Sequence, residues 1–409
     1  MRLFGKHKEN IIYYMLYLFS DVFSKALPFL LLPFLTRIFS TEQYGELTEF
    51  TVVYNICFML GAFSCQTFFR KLFFENNDMG GRYLSLLISP LIITITTVIV
   101  LNAVIYFTTL LSSITFNLTL FVAVSVFSQI IIRVTMTYFN CSLKATNYMA
   151  LNVFATLVNL IVTYIFLYLI ASSFNGRVMA IIISPIIVFP LAIAIYTVKN
   201  KTKWIVRKEY IREHFCFAIP LVPHQIMSWF RISFDRIIIS STFGLSTLGE
   251  FSVNSQLAMV IFVLFTSINQ GLAPRLLKLY KNENSNMFRS TLKYLLIFIV
   301  IFVLIFPVII MIAPYVIGEG FEVDYLVIST LSVAYLFNGF YFIFTHYLIQ
   351  NGHGFVLSKV TIFTGLIHVL IIYLLIPVYG VNSVLIASIV SYFAAFILTM
   401  YITKKLMEN

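Results

Sequence analysis

Long apolar runs alternate with short polar breaks along the whole chain. Scanned with a window of about 19 residues, the pattern predicts membrane-spanning helices at 11–37, 43–69, 84–107, 115–140, 148–172, 178–198, 214–241, 247–275, 291–316, 324–350, 356–376 and 380–403. A hydrocarbon core about 30 Å thick needs about 20 apolar residues at about 1.5 Å of rise each, and every run meets that length. A β-barrel would instead need segments of about ten residues with alternating polarity. The stretch from Tyr294 to Ile312 has neither charge nor alternation, which excludes a barrel.

The longest hydrophilic stretch, Lys199 to Glu213, follows the sixth run and leaves six on either side. The expected fold is therefore all-α and integral to the membrane, with about twelve transmembrane helices in two six-helix bundles. Residues 1–198 form the first bundle, 199–213 a cytoplasmic linker and 214–409 the second. A short repeat relates the halves: Thr41-Glu-Gln-Tyr-Gly-Glu-Leu-Thr-Glu-Phe50 lines up with Leu245-Ser-Thr-Leu-Gly-Glu-Phe-Ser-Val-Asn254, placing Gly45 on Gly249 and Glu46 on Glu250. Because an even number of spans separates the two copies, the repeat is parallel, about an axis along the membrane normal.

Composition sharpens this reading. Of 409 residues, 60% are hydrophobic and 11% charged, against about 25% charged in an average soluble protein. The net charge of +11 would suggest nucleic acid if the basic residues formed one face or a tail. They instead cluster in the breaks, and 21 of the 27 fall on connections of one parity. The other side keeps only Arg37 and Arg177, and its connection between spans nine and ten is acidic, with Glu319, Glu322 and Asp324. Lys and Arg collect on the cytoplasmic side, near anionic lipids. Both termini are thus expected in the cytoplasm, with membrane lipids as partners and no nucleic acid. The four cysteines, Cys57, Cys65, Cys141 and Cys216, lie in or beside apolar runs and do not form an extracellular disulfide framework.

Two segments resemble a known family. Leu27-Pro-Phe-Leu-Leu-Leu-Pro-Phe-Leu-Thr-Arg37 followed by Ser40-Thr-Glu-Gln-Tyr-Gly45, and Phe217-Ala-Ile-Pro-Leu-Val-Pro223 with Ser233-Phe-Asp-Arg236, are similar to the first hairpin and the seventh helix of the bacterial O-antigen and capsular polysaccharide-unit flippases. These are polysaccharide transporters of the MATE-like MOP superfamily. The resemblance implies a transporter in the bacterial inner membrane that moves an undecaprenyl-pyrophosphate-linked oligosaccharide from the cytoplasmic to the periplasmic leaflet by alternating access. It implies lipopolysaccharide or capsule assembly as the setting, polysaccharide polymerase machinery as a partner, and no ATP hydrolysis. The sequence agrees in lacking a G-x-x-x-x-G-K-[ST] loop; the expectation is a transporter and not an enzyme, with no cofactor.

Charges within the spans are the candidate chemistry, since each costs about 2.5–3.5 kcal/mol on insertion scales and faces the bundle interior or a wet cavity. Span one carries Asp21 and Lys25, span four Arg133, and span seven Arg231, Asp235 and Arg236. Lys25, Arg231, Arg236 and Arg133 are the expected substrate-binding residues, because a guanidinium stays charged and binds two phosphate oxygens at once. Asp21 and Asp235 are the expected ion-coupling groups, for H⁺ or Na⁺. The competing reading makes Asp21 with Lys25, and Arg231 with Asp235, neutralising pairs one helical turn apart, with Arg236 snorkelling to the interface. Pro28, Pro33, Pro220 and Pro223 remove backbone hydrogen bonds and mark gating bends. His224, His346 and His368 lack metal-ligand spacing and suit interior hydrogen bonding, so no metal site is expected. Asn159, Gln256, Asn269, Gln270 and Asn338 bind sugar hydroxyls or join helices. The Tyr341-Phe342 run reads as packing and lipid-facing surface.

Two other classes compete. A MATE-type drug or cation antiporter shares the architecture, but a site for organic cations should be acidic and aromatic, whereas these spans hold four cations against two carboxylates. A membrane polysaccharide polymerase would need a sizeable outer loop, and the outer connections here are about ten residues or fewer on the span boundaries above.

Overall fold

The computed structural model describes residues 2–75, 79–108, 119–170, 174–200, 206–281 and 287–408. The helices are α1 (Arg2–Ile38), α2 (Thr41–Ala62), α3 (Cys65–Glu75), α4 (Met79–Thr108), α5 (Thr119–Cys141), α6 (Ala145–Ile165), α7 (Phe174–Asn200), α8 (Lys208–Ala218), α9 (Val222–Phe243), α10 (Leu245–Lys281), α11 (Met287–Val316), α12 (Tyr325–Gln350), α13 (Gly354–Tyr379) and α14 (Asn382–Glu408). No strand occurs among the described residues. Backbone polar groups in hydrocarbon must be satisfied within the segment, and the helix does this.

Eleven helical segments among the described residues are long and apolar enough to cross a membrane, where the hydropathy pattern predicts twelve. The missing one is the seventh. The predicted span 214–241 is divided into α8, a 3₁₀ turn at Ile219–Leu221 and α9. Pro220 and Pro223 cannot donate to the carbonyls one turn back, and α9 packs Arg231, Asp235 and Arg236 into 22 residues. Pro28 and Pro33, by contrast, sit inside an α1 that runs through both without interruption.

The predicted span 43–69 is also divided. It breaks at Phe63 and Ser64, whose φ angles are 44° and 55°, a left-handed conformation that non-glycine residues seldom adopt. Neighbouring polar groups hold it. The His214 Nε2 donates to the Phe63 carbonyl at 2.9 Å, the His214 ring stacks on Phe68 at 4.8 Å, and Gln225 donates to the Ser64 hydroxyl at 2.7 Å.

By contact the chain divides into two compact units, Met1–Leu27 with Gly45–Trp229, and Pro28–Tyr44 with Phe230–Asn409. The border lies inside α9, beyond the predicted linker 199–213, of which 201–205 falls outside the described residues. In the first unit α5 packs against α3, α4, α6 and α7. Its tightest aromatic contact is Tyr83 stacked on Tyr196 at 3.8 Å, with Tyr138 edge-on at 5.1 Å.

In the second unit α12 packs against α10, α11, α13 and α14. Ile239, Leu248, Phe251, Val327, Leu331, Ile372 and Leu385 form its core. Apolar α11 carries Leu296, Val300, Val303, Leu304 and Met311 exposed, as a helix bathed in hydrocarbon requires.

Residues 28–44 are fastened into the second unit by several polar contacts. The Gly318 amide donates to Thr36 Oγ1 at 3.0 Å, and Arg37 Nη2 donates to the Tyr315 carbonyl at 3.1 Å. Gln256 donates to the Pro28 carbonyl at 2.6 Å and accepts from the Tyr44 hydroxyl at 2.8 Å. Thr41 and Ser246, at the starts of repeat-related α2 and α10, meet hydroxyl to hydroxyl at 2.7 Å. Asn254 then ties α10 to the α11–α12 connection, donating to the Glu322 carbonyl at 3.0 Å and accepting from the Asp324 amide at 2.9 Å. Asp324 caps α12 by accepting from the Leu326 and Val327 amides.

Candidate substrate and coupling site

In the second unit α9 carries three charged residues, Arg231, Asp235 and Arg236. Arg231 and Asp235 are one turn apart and Arg236 follows, so all three fall on neighbouring parts of one helix surface. With Ser255, Tyr335 and Tyr392 they line a cavity of about 30 Å³, room for one or two water molecules. Arg231 is clasped by aromatic faces, its guanidinium carbon 4.8 Å from the Tyr392 ring centre and 5.8 Å from that of Tyr341. This is cation–π geometry. Its hydrogen bonding is sparse: Nη1 makes one long contact of 3.4 Å to Thr364 Oγ1, and its buried Nε has no partner. A guanidinium has five N–H donors, and the one on the buried Nε is unspent here. Arg236 reaches Ser255 Oγ at 3.4 Å.

Asp235 is 6% exposed and does not turn to Arg231. His368, fully buried on α13, donates from Nε2 to Asp235 Oδ1 at 2.6 Å, and its Nδ1 lies 3.2 Å from Ser391 Oγ on α14. Among the described residues no ion pair joins Arg231 to Asp235 or Lys25 to Asp21, so the neutralising pairs suggested by spacing do not form. Asp21 instead accepts from the Tyr148 hydroxyl on α6 at 2.7 Å. Beside it, Asn152 donates to the Ser20 carbonyl, Ser20 Oγ and Ser24 Oγ at 2.8–3.2 Å. Lys25 is half-buried on α1 and Arg133 is exposed on α5, both in the first unit.

The structure thus brings Arg231, Arg236 and Asp235 together in the second unit, and places Asp21, Lys25 and Arg133 in the first. Pro28 and Pro33 lie in the second unit; Pro220 and Pro223 lie in the first. The sequence reading missed His368 as the partner of Asp235, and it missed the aromatic clasp. Tyr341, expected as packing surface, is buried facing Arg231. The advance signal was that His368 is the one histidine of a mainly apolar run. Of the polar residues with two readings, Asn159, Gln256 and Asn269 join helices, bonding Ser184, Tyr44 and His346. A second cavity of about 330 Å³ lies by Glu250, Asn254, Glu322 and Asp324 at the α11–α12 connection. Among the described residues no three His, Cys, Asp or Glu side chains group closely enough to hold a metal ion.

The described residues, helical and without strands, with eleven segments able to cross a membrane, define a multi-pass membrane protein. The solved structures bear this out at the level of fold. The inward-facing form of a multidrug resistance MATE family transporter of the MOP superfamily matches with a TM-score of 0.71 at 14% identity, over 94% of each chain. A MOP superfamily transporter from Pyrococcus furiosus, for which reversed polarity of the binding pocket suggests a different function, matches with a TM-score of 0.63 at 14% identity over 97% of this chain and 95% of its own. Residues 8–280 match the family described as polysaccharide biosynthesis protein, and the chain belongs to that family. A relative from the Lsg locus of Haemophilus influenzae is 23% identical over 385 residues, covering 88% of this chain and 89% of its own. The protein is therefore a multi-pass membrane protein of the polysaccharide biosynthesis family with a MATE-like fold.

Proposed function

We propose that this protein moves undecaprenyl-pyrophosphate-linked oligosaccharide units, for O-antigen or capsule, from the cytoplasmic to the periplasmic leaflet of the inner membrane. Transport is by alternating access, coupled to H⁺ or Na⁺ through Asp21 and Asp235, with both termini cytoplasmic and the polysaccharide polymerase machinery downstream. The observation that carries this reading is Arg231: a cation held between two tyrosine rings, beside Arg236, with its buried Nε donor unspent. A pyrophosphate or acidic sugar leaving water needs such a group, since charge-assisted bidentate contacts offset lost hydration. The 30 Å³ cavity is too small for the head group, so loading requires the helices around it to part. Lys25 and Arg133 are further cationic contacts on the substrate's route, and Pro28, Pro33, Pro220 and Pro223 are where helices yield. The same pair of arginines disfavours an organic-cation antiporter.

The test is made in cells. Replacing Arg231 or Lys25 by Gln blocks surface polysaccharide export while the membrane level of the protein stays normal. Normal polysaccharide in both variants refutes the site.

A further inference from the structure

Arg231 and Asp235 are separated by one turn of α9, a spacing at which opposite charges ordinarily meet. Had they paired, the guanidinium would be neutralised and one or two of its donors taken. The structure shows the carboxylate turned to α13 instead. His368, with none of its surface exposed, gives Asp235 Oδ1 a short hydrogen bond of 2.6 Å, and Ser391 Oγ on α14 steadies the other ring nitrogen at 3.2 Å. Ser391 is itself fixed, at 3.2 Å from the Ser388 carbonyl. On the far side, Arg231 keeps a buried Nε with no partner. The two facts are complementary: the carboxylate is satisfied elsewhere, and the cation is left wanting an acceptor.

We propose that His368 is a positioning residue for anion binding, holding Asp235 off Arg231 so that the guanidinium stays open to a phosphate or carboxylate. This rests on the reading of Arg231 as an anion-binding group. It assigns the histidine no contact with the substrate. Its role is to donate one N–H from the right place, which an amide side chain can also do. It follows that the damage from losing His368 passes entirely through Asp235, and that removing the charge of Asp235 repairs it.

The probe is inorganic pyrophosphate, titrated calorimetrically against the full-length protein in lipid nanodiscs. Size-exclusion profiles confirm that each variant is intact. Wild type binds, and Arg231→Gln loses binding. His368→Leu, which leaves Asp235 without a donor, weakens binding by about tenfold or more, the loss expected for one strong polar contact. His368→Gln stays within about threefold of wild type, and His368→Leu with Asp235→Asn returns to the same range, a coupling that independent sites do not show. If wild type does not bind, or Arg231→Gln binds as well as wild type, the anion-site reading falls and takes this inference with it. If Arg231→Gln loses binding while His368→Leu binds normally, or the double variant stays as weak as His368→Leu alone, only the positioning role is overturned.

Discussion

Gly318 offers a sharp test of how the second unit holds residues 28–44. A Cβ added there would press on the backbone carbonyl of Thr36, with the Thr36 carbonyl carbon at 2.7 Å and the Arg37 amide nitrogen at 3.1 Å. These are main-chain atoms of a helix and cannot swing aside. Gly320, two residues on, has no heavy atom within 4 Å of the same construction. Gly318→Ala therefore meets a clash and Gly320→Ala does not. Overpacking costs about 1–3 kcal/mol, and pushing Gly318 away also loses its 3.0 Å bond to Thr36, a further loss of about 1 kcal/mol. At about 2–4 °C per kcal/mol for units of this size, the melting midpoint falls by roughly 4–16 °C. All four cysteines lie in the first unit, so a thiol-reactive dye is the wrong reporter; size-exclusion of detergent extracts after heating is the assay. Midpoints for the two variants within about 1 °C, small against the per-kcal/mol shift, would show that the 28–44 segment is not seated as described.

Two further outcomes follow from buried polar contacts. Asn254→Leu strands the Glu322 carbonyl and the Asp324 amide; because the adjacent 330 Å³ cavity admits water, the cost is at the low end, about 1–3 kcal/mol, read as a lower melting midpoint that Asn254→Asp does not restore, since a carboxylate cannot donate to Glu322. Tyr148→Phe removes the 2.7 Å donor to Asp21 and destabilises by about 1.5–3 kcal/mol; in a double-mutant cycle with Asp21→Asn the losses should fall short of additive by at least about 0.5 kcal/mol, and strict additivity would deny the contact.

The span pattern was legible because a bilayer demands long apolar runs, and a charge within one is conspicuous. Arg231, Asp235 and Arg236 stood out for that reason. What the sequence hid was direction. Spacing along α9 favoured Arg231 with Asp235, yet the acceptor was taken by His368, 133 positions away, and nothing local announces such a partner. The break after Ala62 was hidden too, since Phe63 and Ser64 carry no glycine or proline signal; His214 and Gln225, distant in sequence, hold the turn. Pro28 shows the converse: a proline marks a missing hydrogen bond, yet α1 runs through it, and Gln256 reaches the carbonyl of Pro28 itself.

The placing of residues 28–44 in the second unit has a consequence for how the protein is made. This segment leaves the ribosome well before its partners Tyr315 and Gly318, which emerge 278 and 282 residues later. Long-range closure of this kind is slow and leaves surfaces transiently bare. The second unit cannot mature as the chain's C-terminal half alone; a fragment beginning at the linker would lack the piece that seats against its α11–α12 corner. Biogenesis is therefore ordered by α1, which must be held in the membrane, half engaged, until the ninth span and the connection after it have been delivered to it.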